Sequence, residues 1–180
     1  MSQIRVPRGQ NQILLDGRID SKEWRRAETI TIEKGSQIRF LQDDKNLYIA
    51  VEGRKKWTRY VDLYLKQDAV LTNLHASMQL GERMLKGNWN DTLPKWNWGN
   101  NTDWKANTVK IISDEEDVPL REALASYDGF EFQISKERMT DNELLIRVEF
   151  RDFEGKAPDI IFPEGTSRYT PQQWLRLDLK

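Results

Sequence analysis

The chain has 180 residues, enough for one domain, and a chain of that size buries roughly two-thirds of its unfolded surface. Its 28 basic and 29 acidic residues leave a net charge of −1, which removes the one-signed field of a nucleic-acid binder or a polybasic membrane protein. The absence of cysteine excludes disulfides, a thiol nucleophile and thiolate metal sites, and a single histidine excludes a multi-histidine metal site within one chain. What remains conspicuous is tryptophan, at seven residues.

The opening residues 1–7 hold no apolar stretch fit for a signal peptide. No apolar run approaches the ~18 residues of a membrane-spanning helix. Asp20 followed by Glu23 has the spacing of a capping box and predicts a turn or two of helix through Trp24 to Ala27, with Trp24 in the core. Ile38–Leu41 and Leu47–Val51 flank the polar cluster Asp43-Asp44-Lys45-Asn46 and predict a hairpin. In the next strand Val61, Leu63 and Leu65 share one face, with Tyr60, Asp62 and Tyr64 on the other. Leu74, Ala76, Met78 and Leu80 then point one way, and His75, Ser77 and Gln79 the opposite way.

Further strands are expected at 106–112, 128–134, 143–152 and 173–179. In the last of these Trp174 alternates with Arg176 and Asp178 as a half-exposed sheet residue. Pro119 predicts a second short helix through Leu124 and Ala125. Many short strands without sustained helical periodicity imply an all-β, antiparallel β-sandwich with one or two short helices, as one domain over 1–180.

Between residues 86 and 104 strand alternation disappears, and a long loop is expected. It carries Trp89, Trp96, Trp98 and Trp104 interleaved with Asn88, Asn90, Asn97, Asn100 and Asn101. Long loops in compact domains are commonly functional. Sugars present an apolar C–H face and a hydroxyl rim, which indoles and amides match respectively. The alternative is that these indoles fold back and pack the loop. Trp57, in a polar segment between two strands, is open to the same two readings.

His75, on a polar strand face, is either a hydrogen-bonding surface residue or a ligand contact. No Gly-x-Ser-x-Gly elbow is present, and Ser77 lies only two residues from His75 on the same expected strand, which argues against a nucleophilic triad. Haem ligation by His75 and Met78 fails because an odd separation along a strand sends them to opposite faces. The acidic run Asp114-Glu115-Glu116-Asp117 lacks the spacing of an EF-hand and reads as a solvated loop or a hard-cation site.

Several segments taken in order resemble family 9 carbohydrate-binding modules and their DOMON-like relatives, a jelly-roll-like β-sandwich class. Leu14-Leu15-Asp16-Gly17-Arg18-Ile19-Asp20, with Glu23-Trp24 and Ala27, resembles the family's opening motif. Asp43–Val51 resembles its hairpin, and Trp57 before Val61-Asp62-Leu63-Tyr64-Leu65 its tryptophan-then-strand segment. Phe130–Ser135 and Trp174–Leu177 resemble its late strands.

The resemblance implies a sugar gripped between two aromatic rings. Trp57 matches the first ring and Asp62 an acidic hydrogen-bonding position, while His75 falls near a polar sugar contact. Tyr169 is nearest in register to the second ring, and Trp174 lies slightly late. The 86–104 segment is not part of the family's usual motif. The resemblance also implies export to the periplasm, the cell surface or the medium, and a structural calcium whose ligands do not transfer residue by residue.

The expected function is therefore non-catalytic binding of a sugar or polysaccharide through Trp57, Asp62, His75, Trp89, Trp96, Trp98 and Tyr169. No cofactor beyond that calcium, no nucleic acid and no membrane span is expected. Two rivals stand beside it. One is an interaction domain whose exposed indoles anchor a protein partner. The other is a glycoside-active enzyme, which needs two convergent carboxylates.

Overall fold

The computed structural model describes residues 2–10, 12–32, 35–53, 59–87, 93–99, 103–109, 127–152 and 155–180. Two sheets face each other. The first runs in the order β1 (Gln3–Arg5), β13 (Leu175–Asp178), β11 (Glu143–Asp152), β5 (Arg59–Gln67), β6 (Val70–Ala76), β7 (Leu80–Lys86) and β8 (Asn97–Trp98), with β12 (Ile160–Phe162) also paired to β11. The second runs β2 (Glu28–Thr31), β3 (Gln37–Gln42), β4 (Asn46–Glu52), β10 (Gly129–Ser135) and β9 (Trp104–Ala106). Among the described strands pairing is antiparallel except between β1 and β13, and Arg8 makes an isolated parallel bridge to Gln42. The expected all-β sandwich is what forms.

Two-residue alternation explains the layers. Val61, Leu63 and Leu65 of β5, Leu74 and Ala76 of β6 and Ile146, Val148 and Phe150 of β11 point inward. They meet Ile38 and Phe40 of β3, Ile49 and Val51 of β4, and Phe130, Phe132 and Ile134 of β10. At about 25 cal/mol for each Å² of apolar surface removed from water, this interlayer is the main source of stability. The β3–β4 hairpin forms as expected. The Asp43 carboxylate accepts the backbone N–H groups of Lys45 and Asn46 (2.7 Å each) and the Tyr48 hydroxyl (2.8 Å).

The outer faces are partly covered as well. On the second sheet Ile13, Ile19 and Trp24 pack on Leu41, Tyr48 and Ala50. The capping-box helix does not form there. Residues 21–26 make successive turns, in which the Ala27 N–H donates to the Trp24 carbonyl (2.9 Å) while the Glu23 carboxylate takes the Leu14 N–H (3.3 Å). Among the described residues, helical structure is limited to short 3-10 turns such as Lys136–Arg138 and Pro171–Gln173. The second predicted helix and Asp114–Asp117 lie outside the described residues.

On the first sheet, segment 163–173 folds over the outer face. Trp174 is consequently buried rather than half-exposed. Its ring meets Tyr64 edge-on at 6.2 Å, and its Nε1 donates to the Ser167 carbonyl (2.9 Å).

Three further expectations change. The run at 74–80 is not one strand: β6 ends at Ala76, a turn takes Ser77–Gln79, and β7 starts at Leu80. Of the strand expected at 106–112, β9 covers Trp104–Ala106, residues 107–109 are not in a strand, and 110–112 lie outside the described residues. Finally, 86–104 is not one loop. β8 pairs with β7 through Gly81 and Glu82, and β9 joins the opposite sheet beside β10.

Candidate functional site

The outer face of β5–β8 carries a row of paired residues: Asp62 opposite His75, His75 opposite Gly81, and Gly81 opposite Trp98. Because each residue faces its cross-strand partner, the row is fixed by sheet register rather than by loop conformation. Gly81 leaves room for the indoles. A Cβ built there would stand 2.6 Å from ring atoms of Trp98 and 3.1 Å from Trp96.

Asp62 and His75 form a linked pair. Asp62 is nearly enclosed, with its side chain 4% exposed, and its Oδ1 lies 2.8 Å from His75 Nδ1. The other carboxylate oxygen lies 3.8 Å from Arg151, whose Nε stands 3.6 Å from Asp159. On the far side of the imidazole, Nε2 lies 2.9 Å from the Ser77 hydroxyl. The ending of β6 at Ala76 makes this contact possible, since the following turn brings the Ser77 side chain back to the ring. Ser77 being two residues away is therefore no bar to the contact. The buried carboxylate fixes the tautomer: Nδ1–H donates to Asp62, which leaves Nε2 to accept the Ser77 O–H.

Aromatic rings enclose the histidine. Tyr60 lies 5.1 Å away, and Trp96 and Trp98 meet it edge-on at 5.5 and 5.3 Å. The two indoles stack at 5.3 Å with 28° between their planes. The Arg83 guanidinium sits 4.3 Å from the centre of the Trp96 ring and is itself held by Asn73, which bonds the Leu63 carbonyl. Burial pushes the Tyr60 phenol above its ordinary range, helped by nearby Asp62, Asp159 and Glu149 and opposed by Arg151. Trp98 remains 44% exposed, so the cluster presents an indole to solvent.

The structure brings together Asp62, His75, Trp96 and Trp98 from the expected site residues. Trp57 and Trp89 lie outside the described residues. Tyr169 is 48% exposed on segment 163–173 and carries Arg168 over its ring at 4.8 Å, with no ring contact to the indoles among the described residues. Trp104 is not a loop platform. It is buried, stacks on Phe132 at 6.1 Å and donates from Nε1 to Glu82 (3.0 Å). Sequence reasoning missed Tyr60, Gly81 and Arg83. Alternation already placed Tyr60 on the face of Asp62, but a lone glycine and an arginine carry no comparable signal.

Beside β8, a groove of about 480 Å³ is lined by residues including Glu82, Lys95, Asn97, Asp103 and Arg138. No cluster of three or more His, Asp or Glu side chains suited to a metal occurs among the described residues.

No family model matches the chain, and no curated protein matches it. The fold has a solved counterpart. A crystal structure of a "putative carbohydrate-binding protein" from Bacteroides uniformis superposes with a TM-score of 0.52 at 10% identity, covering 98% of each chain. At that identity the likeness speaks for the fold alone.

Proposed function

We propose that this chain binds carbohydrate, holding a glycan rather than cleaving glycosidic bonds. The carrying observation is the stacked pair Trp96 and Trp98, half open to solvent and rigidly seated on Gly81 and His75. A flat indole held in this way stacks on the C–H face of a pyranose without losing side-chain freedom on binding. A polar group stands beside it: the Ser77 hydroxyl, next to His75. His75 and Asp62 act one layer down, because both imidazole nitrogens and the carboxylate are engaged within the protein.

The family 9 and DOMON-like resemblance supports the same reading, with Trp57 and Tyr169 as further rings and calcium as a structural ion. So does the description of the Bacteroides uniformis neighbour, and a carbohydrate ligand agrees with a working place outside the cytoplasm. Tryptophan-fluorescence titration against a panel of mono- and oligosaccharides tests the proposal. At least one sugar should quench or shift the emission, and Trp98→Ala should abolish the response. A flat response to the whole panel would remove it.

A further inference from the structure

Asp62, His75 and Ser77 form a hydrogen-bonded chain in the order carboxylate, imidazole, hydroxyl, at 2.8 and 2.9 Å. Sugar stacking on the indoles does not require that order. We propose that Ser77 is a nucleophile for small acyl esters, with His75 as its general base and Asp62 as the residue that orients the base.

Four observations carry it. The carboxylate is nearly enclosed and lies 2.8 Å from Nδ1, so it holds the imidazole in one orientation with Nε2 toward Ser77. The tautomer is the productive one, with the Nε2 lone pair directed at the Ser77 O–H. Within the turn, the hydroxyl lies nearer to Nε2, at 2.9 Å, than to its alternative acceptor, the Gln79 carbonyl, at 3.4 Å. Lastly, the Met78 N–H has no hydrogen-bond acceptor among the described residues and follows Ser77 directly. In Gly-x-Ser-x-Gly hydrolases the amide after the nucleophile stabilises the oxyanion. Nucleophile–base and base–orienter bonds are the geometric signature of an activated serine, whatever the positions in sequence.

The step balances with water as the only co-reactant. Ser77 Oγ bonds to the acyl carbon as its proton passes to His75 Nε2. The bond from that carbon to the alcohol oxygen then breaks, and His75 returns the proton to the departing alcohol. Water, deprotonated by the same nitrogen, releases the carboxylic acid and restores Ser77. Trp98 and Trp96 flank the histidine, so the alcohol portion of the ester lies against the indoles. If that portion is a sugar, which rests on the binding proposal above, the substrate is an O-acylated carbohydrate.

A fluorophosphonate probe and p-nitrophenyl acetate test the nucleophile without any sugar. The expected result is a mass adduct on Ser77 and ester hydrolysis above the buffer rate. Ser77→Ala and His75→Gln should lose both. Asp62→Asn should be slower by about 10²–10⁴-fold, the range a positioned base contributes. Ser77 lies in a partly exposed turn, and an unchanged thermal midpoint for Ser77→Ala shows that the variant is folded. Absence of an adduct on Ser77, or a Ser77→Ala rate equal to that of the parent, would overturn the proposal. Labelling in a protein that binds no sugar would leave the nucleophile standing and remove the carbohydrate reading. Sugar binding without labelling would do the reverse.

Discussion

Trp98 lies over Gly81, its cross-strand partner, so closely that a Cβ on Gly81 would stand 2.6 Å from two atoms of the indole ring. The glycine is a seat for the ring rather than a turn residue. Gly81→Ala should push Trp98 and Trp96 off His75. Overpacking of this kind costs typically 1–3 kcal/mol in a closed core and less at a half-open site. The expected outcome is at least a tenfold loss of sugar affinity by fluorescence titration, with a thermal midpoint only slightly lowered. Unchanged affinity would show that the stacked pair is not the platform.

Two tryptophans close in sequence should behave in opposite ways. Trp104 is buried against Phe132 and donates to Glu82, whose other oxygen takes the Arg138 guanidinium. Trp104→Ala should cost about 3–5 kcal/mol, the usual range for emptying a buried aromatic site, and leave Glu82 with one donor fewer. Trp98→Ala should cost under about 1 kcal/mol, because nearly half the ring already faces water. Urea denaturation of the two variants checks the contrast, and equal losses would refute this division of roles.

Glu131 gives a pH dependence. It is fully buried on β10 and accepts hydrogen bonds from Trp24 Nε1 (2.9 Å) and from the backbone N–H groups of Asp16 (3.1 Å) and Gly17 (2.9 Å). Burial pushes its carboxyl up to about 7 from 4.5, although those donors pull it down. The folded state therefore holds a proton that the unfolded chain releases near 4.5. Its contribution is full below that value and is lost as pH rises through about 7. From pH 4.5 to 7 stability should fall by at most about 3 kcal/mol from this group. Asp43 shifts the other way and acts at more acid pH. Burial raises its pKa, but hydrogen bonds from Tyr48, Lys45 and Asn46 outweigh that and hold it below its ordinary value. Urea midpoints at pH 5 and 7 test the slope, which should vanish in Glu131→Gln.

Alternation along β5 and through Leu74 and Ala76 of β6 was enough to place their inner faces, because a strand buried on one side writes its orientation into every second residue. It could not say what covers the other side. Trp174 falls on the outward face as its neighbours Arg176 and Asp178 suggest, yet segment 163–173 closes over it. The same limit hid Glu131, a charged residue between Phe130 and Phe132 whose donors come from more than a hundred residues away. At the candidate site, strand polarity placed Asp62 and His75 on the outward face, where the structure pairs them. The His75–Ser77 contact was not legible in that polarity, since it depends on the strand stopping at Ala76, and nothing in Leu74–Leu80 marks that stop except a serine in a fully alternating run. Trp96 and Trp98 stood out by composition, but their separation from Trp104 required knowing that the chain changes sheets between them.

Segment 163–173 offers the last prediction. It carries Tyr169 and is held to the first sheet at two points. Trp174 Nε1 bonds the Ser167 carbonyl at 2.9 Å, and Arg147, ion-paired with Glu149, reaches the Thr166 carbonyl at 3.4 Å. Removing the indole deletes both the hydrogen bond and the edge contact with Tyr64. Trp174→Ala should lower stability by about 3–5 kcal/mol and let the segment open on its own below the global transition. Arg168 then becomes a preferred trypsin site. Limited digestion should cut the variant after Arg168 well before the remaining sites, and Trp174→Phe, which keeps most of the packing, should fall between the variant and the parent. Equal cleavage after Arg168 in all three would mean that Trp174 does not hold the segment, and the tether would then have to rest on Arg147.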